Sequence, residues 1–103
     1  MQKDRFWCAF VVCSEPVNNQ IISSFLSFYA GNRFLATKKI EDSLPDNPKW
    51  ENENGTLRPY EILSLQQCKP EETSKYAEIY MNEFRRSMGL SPNEGELEIT
   101  SLL

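Results

Sequence analysis

The longest uninterrupted apolar stretch of the chain is residues 6–13, FWCAFVVC, which contain no charge and no helix breaker. Val, Phe and Trp favour strands, and a strand that is apolar on both faces is covered on both faces. Alternation gives one face Phe6, Cys8, Phe10 and Val12, and the other Trp7, Ala9, Val11 and Cys13. The pattern therefore predicts a strand that carries much of the core.

Two further elements are predicted next. Residues 17–30 have apolar side chains at helical spacing, with Ser14 and Pro16 as a start signal and Gly31 as a stop. Residues 33–41 are interpreted as a second strand, with Phe34 or Leu35 pointing inward and a basic outer edge. We therefore expect a helix and then an edge strand after the central strand.

The second half of the chain begins with a long polar segment. Residues 42–59 contain three prolines, several acidic residues and one isolated aromatic residue, Trp50. Loops of this length in a small domain are uncommon and are often functional, and Asn54-Gly55 favours a hairpin. A third strand is predicted over residues 60–68, a helix from Pro70 to Gly89, and a short last strand over residues 94–103.

The predicted order is strand, helix, strand, long loop, strand, helix, strand. This is the order of the ferredoxin-like β-α-β-β-α-β sandwich. We expect one α+β domain over residues 1–103, with a four-stranded antiparallel sheet, both helices on one face, and strands 6–13 and 60–68 at the centre. The other face would expose apolar surface, which soluble monomers rarely do. We therefore expect a homodimer through that face, with the 42–59 loop as the alternative cover.

Composition limits the classes of function. The net charge is −4 and the chain has no histidine. An acidic chain is poorly suited to binding a phosphate backbone, so nucleic acid is not the expected partner. The commonest general base and metal ligand is missing, and a zinc site would need more than three scattered cysteines. Glycine-rich phosphate loops are also lacking. We therefore expect no metal and no cofactor.

Cysteine usage and hydropathy bear on the compartment. The three cysteines form no C-x-x-C motif, which favours reduced thiols over a disulfide framework. Cys8 and Cys13 lie on opposite faces of a regular strand and are not expected to bridge. The sequence shows no signal-peptide pattern and no apolar run approaching the roughly 20 residues that span a bilayer. We therefore expect a cytoplasmic protein with no membrane contact.

These observations favour a small non-enzymatic module that binds another protein, of the inhibitor, immunity, antitoxin or adaptor type. An acidic loop around a tryptophan suits a partner with a basic surface. Trp50 itself has two interpretations, a lid that folds back on the core or an exposed anchor. The candidate partner-binding residues are Asp46, Trp50, Glu51, Glu53, Tyr76 and Tyr80.

Two alternatives belong to other classes. Arg5-Phe6 with Ala9-Phe10-Val11 resembles the aromatic RNA-binding strand of an RNA-recognition-motif domain, although the glycine of that motif is absent. The resemblance implies base stacking on Phe6 and Phe10 if their face of the sheet is open. The second alternative is a small enzyme that uses a cysteine or carboxylates, for which the acidic clusters are Glu41, Asp42 and Asp46, and Glu51 with Glu53.

Overall fold

The computed structural model describes residues 4–14, 22–87, 89 and 99–102. Four strands form one sheet in the order β3-β1-β2-β4. They are β1 (Arg5–Cys13), β2 (Ser23–Ala30), β3 (Tyr60–Gln67) and β4 (Ile99–Ser101). β1 pairs antiparallel with β2 and with β3, whereas β2 pairs parallel with β4. The sheet is therefore mixed, with the apolar strand β1 between two partners.

Two α-helices accompany the sheet, α1 (Arg33–Ser43) and α2 (Thr73–Ser87). Short 3-10 turns follow α1 at Leu44–Asp46 and Pro48–Trp50, and another, Pro70–Glu72, precedes α2. α1 begins at Asn32, whose side-chain oxygen accepts a hydrogen bond from the Leu35 backbone N–H at 2.8 Å. This is the usual N-cap arrangement, which satisfies a donor that the first turn leaves unpaired.

The helices cover opposite faces of the sheet. One core cluster joins Trp7, Val11 and Phe28 of the sheet to Ala36 and Ile40 of α1, and extends to Leu44 and Trp50. The other joins Cys8, Phe10 and Phe25 to Ala77 and half-buried side chains of α2. The residues of β1 thus alternate between two hydrophobic layers. Covering both faces explains why the strand is apolar on both sides, as its composition predicts.

The ferredoxin-like prediction is wrong in its arrangement, although the α+β class and the numbers of strands and α-helices, four and two among the described residues, are confirmed. The sheet is mixed rather than antiparallel, and the helices do not share a face. β3 lies at an edge of the sheet rather than at its centre. Of the predicted last strand, β4 forms the part at Ile99–Ser101, while residues 94–98 lie outside the described residues.

The second and third predicted elements are exchanged in type. Residues 23–30 form a strand, not the predicted helix, and residues 33–41 lie in a helix, not a strand. Residues 17–21 of the predicted helix lie outside the described part of the chain. Phe25, Leu26 and Phe28 satisfy both periodicities, and pairing with β1 buries all three. Since Ser and Phe are only moderate helix formers, this tertiary burial decides the conformation.

The segment between α1 and β3 folds back over the α1 face. Leu44 and Trp50 are buried there, and the rest of the segment forms a small turn. The predicted hairpin at Asn54-Gly55 is confirmed: Glu51 pairs with Leu57, and Gly55 adopts a φ of +76°. Glycine reaches this left-handed region without the penalty that a Cβ brings. The sheet face that the sequence left uncovered is therefore closed by α1 and this segment.

A disulfide joins Cys8 to Cys68, with 6.2 Å between their Cα atoms, and Cys13 is free. The prediction of three reduced thiols is wrong for this pair, and the prediction that Cys8 and Cys13 do not bridge is confirmed. In the sheet register Cys8 lies opposite Gln66, two residues before Cys68. Residues two apart on one strand share a face, so Cys68 becomes a diagonal neighbour of Cys8. Sequence spacing alone does not show this pairing.

Candidate functional site

A surface pocket of about 380 Å³ lies at one end of the sheet. Three segments meet there: the start of β1, the turn from β2 into α1, and the end of β3. Such a volume is within the range of small-ligand sites. The lining residues are Arg5, Trp7, Gly31, Asn32, Arg33, Gln66 and Gln67.

Hydrogen bonds fix two of the residues that line the pocket, Trp7 and Gln66. The Trp7 indole N–H donates to the Ala30 carbonyl at 2.9 Å, tying β1 to the end of β2. The Gln66 side-chain amide donates to the Tyr80 hydroxyl at 2.5 Å, tying β3 to α2. The Cys8–Cys68 disulfide lies directly beyond Gln67. The backbone around the pocket is thus held before any ligand arrives, which lowers the conformational cost of binding.

The lining residues that the structure describes carry two positive charges and no negative charge. Arg33 lies with its guanidinium carbon 5.7 Å from the centre of the Trp7 ring, a cation–π contact. Within the residues that the structure describes, neither Arg5 nor Arg33 is in an ion pair, and neither guanidinium has a hydrogen-bond acceptor. The pocket is therefore a local positive site on a protein whose net charge is −4.

Beside the pocket, the first turn of α1 exposes two large apolar side chains. Phe34 is 76% exposed and Leu35 is 46% exposed. The prediction that one of them points inward is wrong, because the helix turns Ala36 and Ile40 toward the sheet instead. We call Phe34 and Leu35 the α1 apolar surface. It directly follows Asn32 and Arg33 of the pocket in the sequence.

Trp50 lies in the core, where its side chain is 0% exposed. Its indole N–H donates to the Ser24 hydroxyl at 2.9 Å, and its ring meets Tyr60 edge to face with 6.5 Å between centroids. Of the two interpretations that the sequence left open, the structure shows the lid. A fully buried ring cannot contact a partner, so the exposed-anchor interpretation of Trp50 is wrong for this conformation.

The three acidic candidates lie on the surface. Asp46, Glu51 and Glu53 are all exposed, around the segment that carries Trp50. In the same segment, the Arg58 guanidinium donates to the Lys49 carbonyl at 3.0 Å. The role of the three carboxylates in binding stays a prediction.

Tyr76 and Tyr80 lie elsewhere, on α2, where both pack half-buried against the opposite face of the sheet. The Glu72 carboxylate, with burial adding to it, raises the pKa of Tyr76 above its usual value of 10.0. The Tyr80 hydroxyl is engaged by Gln66. The structure therefore does not bring these tyrosines together with the acidic residues, and the predicted composite surface divides into two separate places.

The sequence interpretation missed the pocket arginines. Arg5 enters the sequence analysis only through the resemblance to an RNA-binding strand, and Arg33 belongs to a predicted edge strand that the structure shows as a helix. Asn32 is the sequence signal for the start of α1, since Asn is a preferred N-cap residue directly before the first residue of a helix. Recognising that cap would have placed the start of α1, and with it Arg33, at the end of the sheet.

No group of three or more Cys, Asp or Glu among the described residues could hold a metal ion. None of the helices described here is long and apolar enough to cross a membrane. Comparison of the chain with family models, with curated proteins and with solved structures gives no match in any of the three. Proposals about function therefore rest on the residues and geometry above.

Proposed function

We propose that this protein is a non-enzymatic module that binds another protein through the outer side of α1. The observation that supports the proposal is the α1 apolar surface, where Phe34 is 76% exposed on a capped helix. Burying a whole large apolar side chain contributes roughly 1.5–3 kcal/mol. A partner that covers Phe34 would thus gain about 1–2 kcal/mol from this ring alone, and aromatic side chains are frequent anchors at interfaces.

Exposed carboxylates near α1 indicate that the proposed partner has a basic surface. Toward the other end of α1, the exposed carboxylates of Glu41 and Asp42 continue into those of Asp46, Glu51 and Glu53. A partner with a basic surface beside an apolar pocket would complement both parts. Complementary charge mainly raises the association rate and the specificity, whereas the apolar contact carries the affinity.

The alternatives lose their structural motivation. RNA stacking on Phe10 needs an open sheet face, but Phe10 is 2% exposed beneath α2. The homodimer was also argued from an uncovered face, and α1 with the Trp50 segment covers that face. The proposal of a non-enzymatic role rests on the sequence, which contains no histidine.

The compartment belongs to the proposal too. The sequence favours the cytoplasm, and that stays a prediction. The Cys8–Cys68 bridge argues the other way, because disulfides persist mainly in oxidising compartments. Mass spectrometry of the alkylated protein, isolated from its own cells without reductant, decides between them: alkylation of Cys8 and Cys68 would indicate a reducing compartment.

The test of the binding proposal is affinity capture from the native host with three immobilised proteins. These are the unaltered protein, a Phe34→Ser/Leu35→Ser double variant, and Ile79→Ser as control. Ile79 is 42% exposed on α2, which covers the opposite face. We expect one specific protein to be retained by the unaltered chain and the control, and lost by the double variant.

Equal recovery of that protein by all three would place the contact elsewhere and contradict the proposal. Recovery of nucleic acid without a specific protein would contradict it as well. Thermal unfolding of the three proteins is the folding control. Because Phe34 and Leu35 are exposed, we expect their replacement to leave the melting temperature nearly unchanged.

A further inference from the structure

We infer that the pocket at the end of the sheet is a binding site for an oxyanion, the carboxylate or phosphate group of a small ligand or of a peptide side chain. This inference does not depend on the protein-binding proposal, because it concerns different side chains. It rests on the charges that line the pocket, on the donors that these charges leave free, and on the rigidity of the walls.

The described lining of the pocket is positively charged. Arg5 from β1 and Arg33 from α1 line the same pocket, and none of its described lining residues is acidic. Among the described residues, neither arginine is in an ion pair. Two like charges that line one pocket disfavour each other, and an anion bound between them would offset that repulsion.

The free donors define the chemistry. Guanidinium presents five N–H donors in a planar fork that matches the two oxygens of a carboxylate or phosphate. Arg33 contacts the Trp7 ring, with 5.7 Å from its guanidinium carbon to the ring centre, and its N–H groups have no acceptor among the described residues. The side-chain oxygen of Asn32 is already taken by the Leu35 N–H, so its NH₂ is what remains for a ligand. Gln67 adds an exposed amide.

Rigidity makes the pocket a built site rather than a chance depression. Its lining residues lie on a paired strand, on a capped helix and on the strand next to the disulfide. The Trp7 floor is 3% exposed and hydrogen-bonded to Ala30. The exposed arginine and Gln67 side chains need to become ordered when an anion binds, whereas the backbone that carries them is already held.

The experiment is NMR titration of the full-length, oxidised protein, following the Trp7 indole N–H and the side-chain amides of Asn32 and Gln67. Three probes are used: inorganic phosphate, acetate, and a short Glu-containing peptide with blocked termini. Phosphate and acetate show which oxyanion fits, and the peptide shows whether a side-chain carboxylate can reach the site. We expect saturable shifts of these three residues with at least one probe.

Two double variants test whether the anion binds in this pocket. Arg5→Gln/Arg33→Gln removes both pocket charges, and Lys75→Gln/Arg86→Gln removes two exposed charges from α2 as a matched control. We expect the pocket variant to bind the probe at least tenfold more weakly and the control to bind within twofold of the unaltered protein. Equal weakening in both variants would show general charge attraction and overturn the inference.

Absence of saturable shifts with all three probes would overturn it as well. The Phe34→Ser/Leu35→Ser variant separates this inference from the protein-binding proposal. If the pocket is an independent site, this variant keeps its anion binding even when it no longer captures a protein. Loss of anion binding in a folded Phe34→Ser/Leu35→Ser variant would place the anion outside the pocket and contradict the inference.

Discussion

Replacing Trp50 with alanine tests the central claim about the segment between α1 and β3. If this ring is a lid, its removal opens a cavity over the α1 face of the sheet. The side chain is 0% exposed and contacts a core cluster that includes Val11, Leu26 and Ile40. Phe or Trp to Ala changes at such positions typically cost about 3–5 kcal/mol of unfolding free energy.

The loss of a buried hydrogen bond adds to this cost. The indole N–H is bonded to the Ser24 hydroxyl, and Ser24 is itself 4% exposed. Removing the donor leaves that hydroxyl buried without this partner, at a cost of about 1–3 kcal/mol. A domain of this size has a total stability on the order of 5–15 kcal/mol. We therefore expect Trp50→Ala to lose a third or more of the stability.

Urea denaturation of the oxidised protein measures the effect, with the fluorescence of the buried Trp7 as reporter. Trp50→Phe is the matched variant: it retains most of the packing and loses the N–H, so we expect a loss of about 1–2 kcal/mol. Thermal unfolding gives a second readout at roughly 4–8 °C per kcal/mol for domains of this size. A loss below about 1 kcal/mol in Trp50→Ala would refute the lid and restore an exposed role for Trp50.

Three further predictions concern other parts of the fold. The Cys8–Cys68 bridge closes a separation of 60 residues, so Cys8→Ser/Cys68→Ser should lose about 4 kcal/mol in urea denaturation; an unchanged midpoint would contradict this. Burial, and secondarily the nearby Glu41 carboxylate, raises the pKa of Tyr60 above 10.0. The stabilisation that this pKa difference contributes should be complete below pH 10.0 and should fall as the pH rises through the folded-state pKa of Tyr60. Tyr60→Phe should remove this part of the pH dependence of the unfolding free energy. Gly55→Ala should lose about 1 kcal/mol because its φ of +76° disfavours a Cβ, and equal stability of this variant would show that the turn relaxes.

Hydrophobic patterning predicted the elements whose periodicity was unambiguous. Residues 6–13 could be placed at the sheet centre because only a strand between two layers accommodates apolar side chains on both faces. The strand at residues 60–67 and the helix at 73–87 are confirmed as well. The prediction for residues 23–43 was wrong because apolar side chains in adjacent pairs fit both a helical and a strand period.

The layer arrangement and the candidate site depend on contacts between segments far apart in sequence. The parallel pairing of β4 with β2 and the position of Cys68 beside Cys8 follow from sheet register, which local sequence does not encode. The same holds for the pocket, where Arg5 and Arg33 converge from different elements. The prominence of Trp50 in a polar loop was a correct signal of importance, but burial rather than recognition explains it.

The disulfide also has a topological consequence. It closes a covalent ring that runs from Cys8 through β2, α1 and β3 to Cys68. The exposed turn at Asn54-Gly55 lies within this ring. A protease that cuts there would produce two fragments that still migrate as one species on a non-reducing gel. Both fragments would keep their strands paired with each other, so a single cut at this exposed turn breaks the backbone without separating the strands of the sheet.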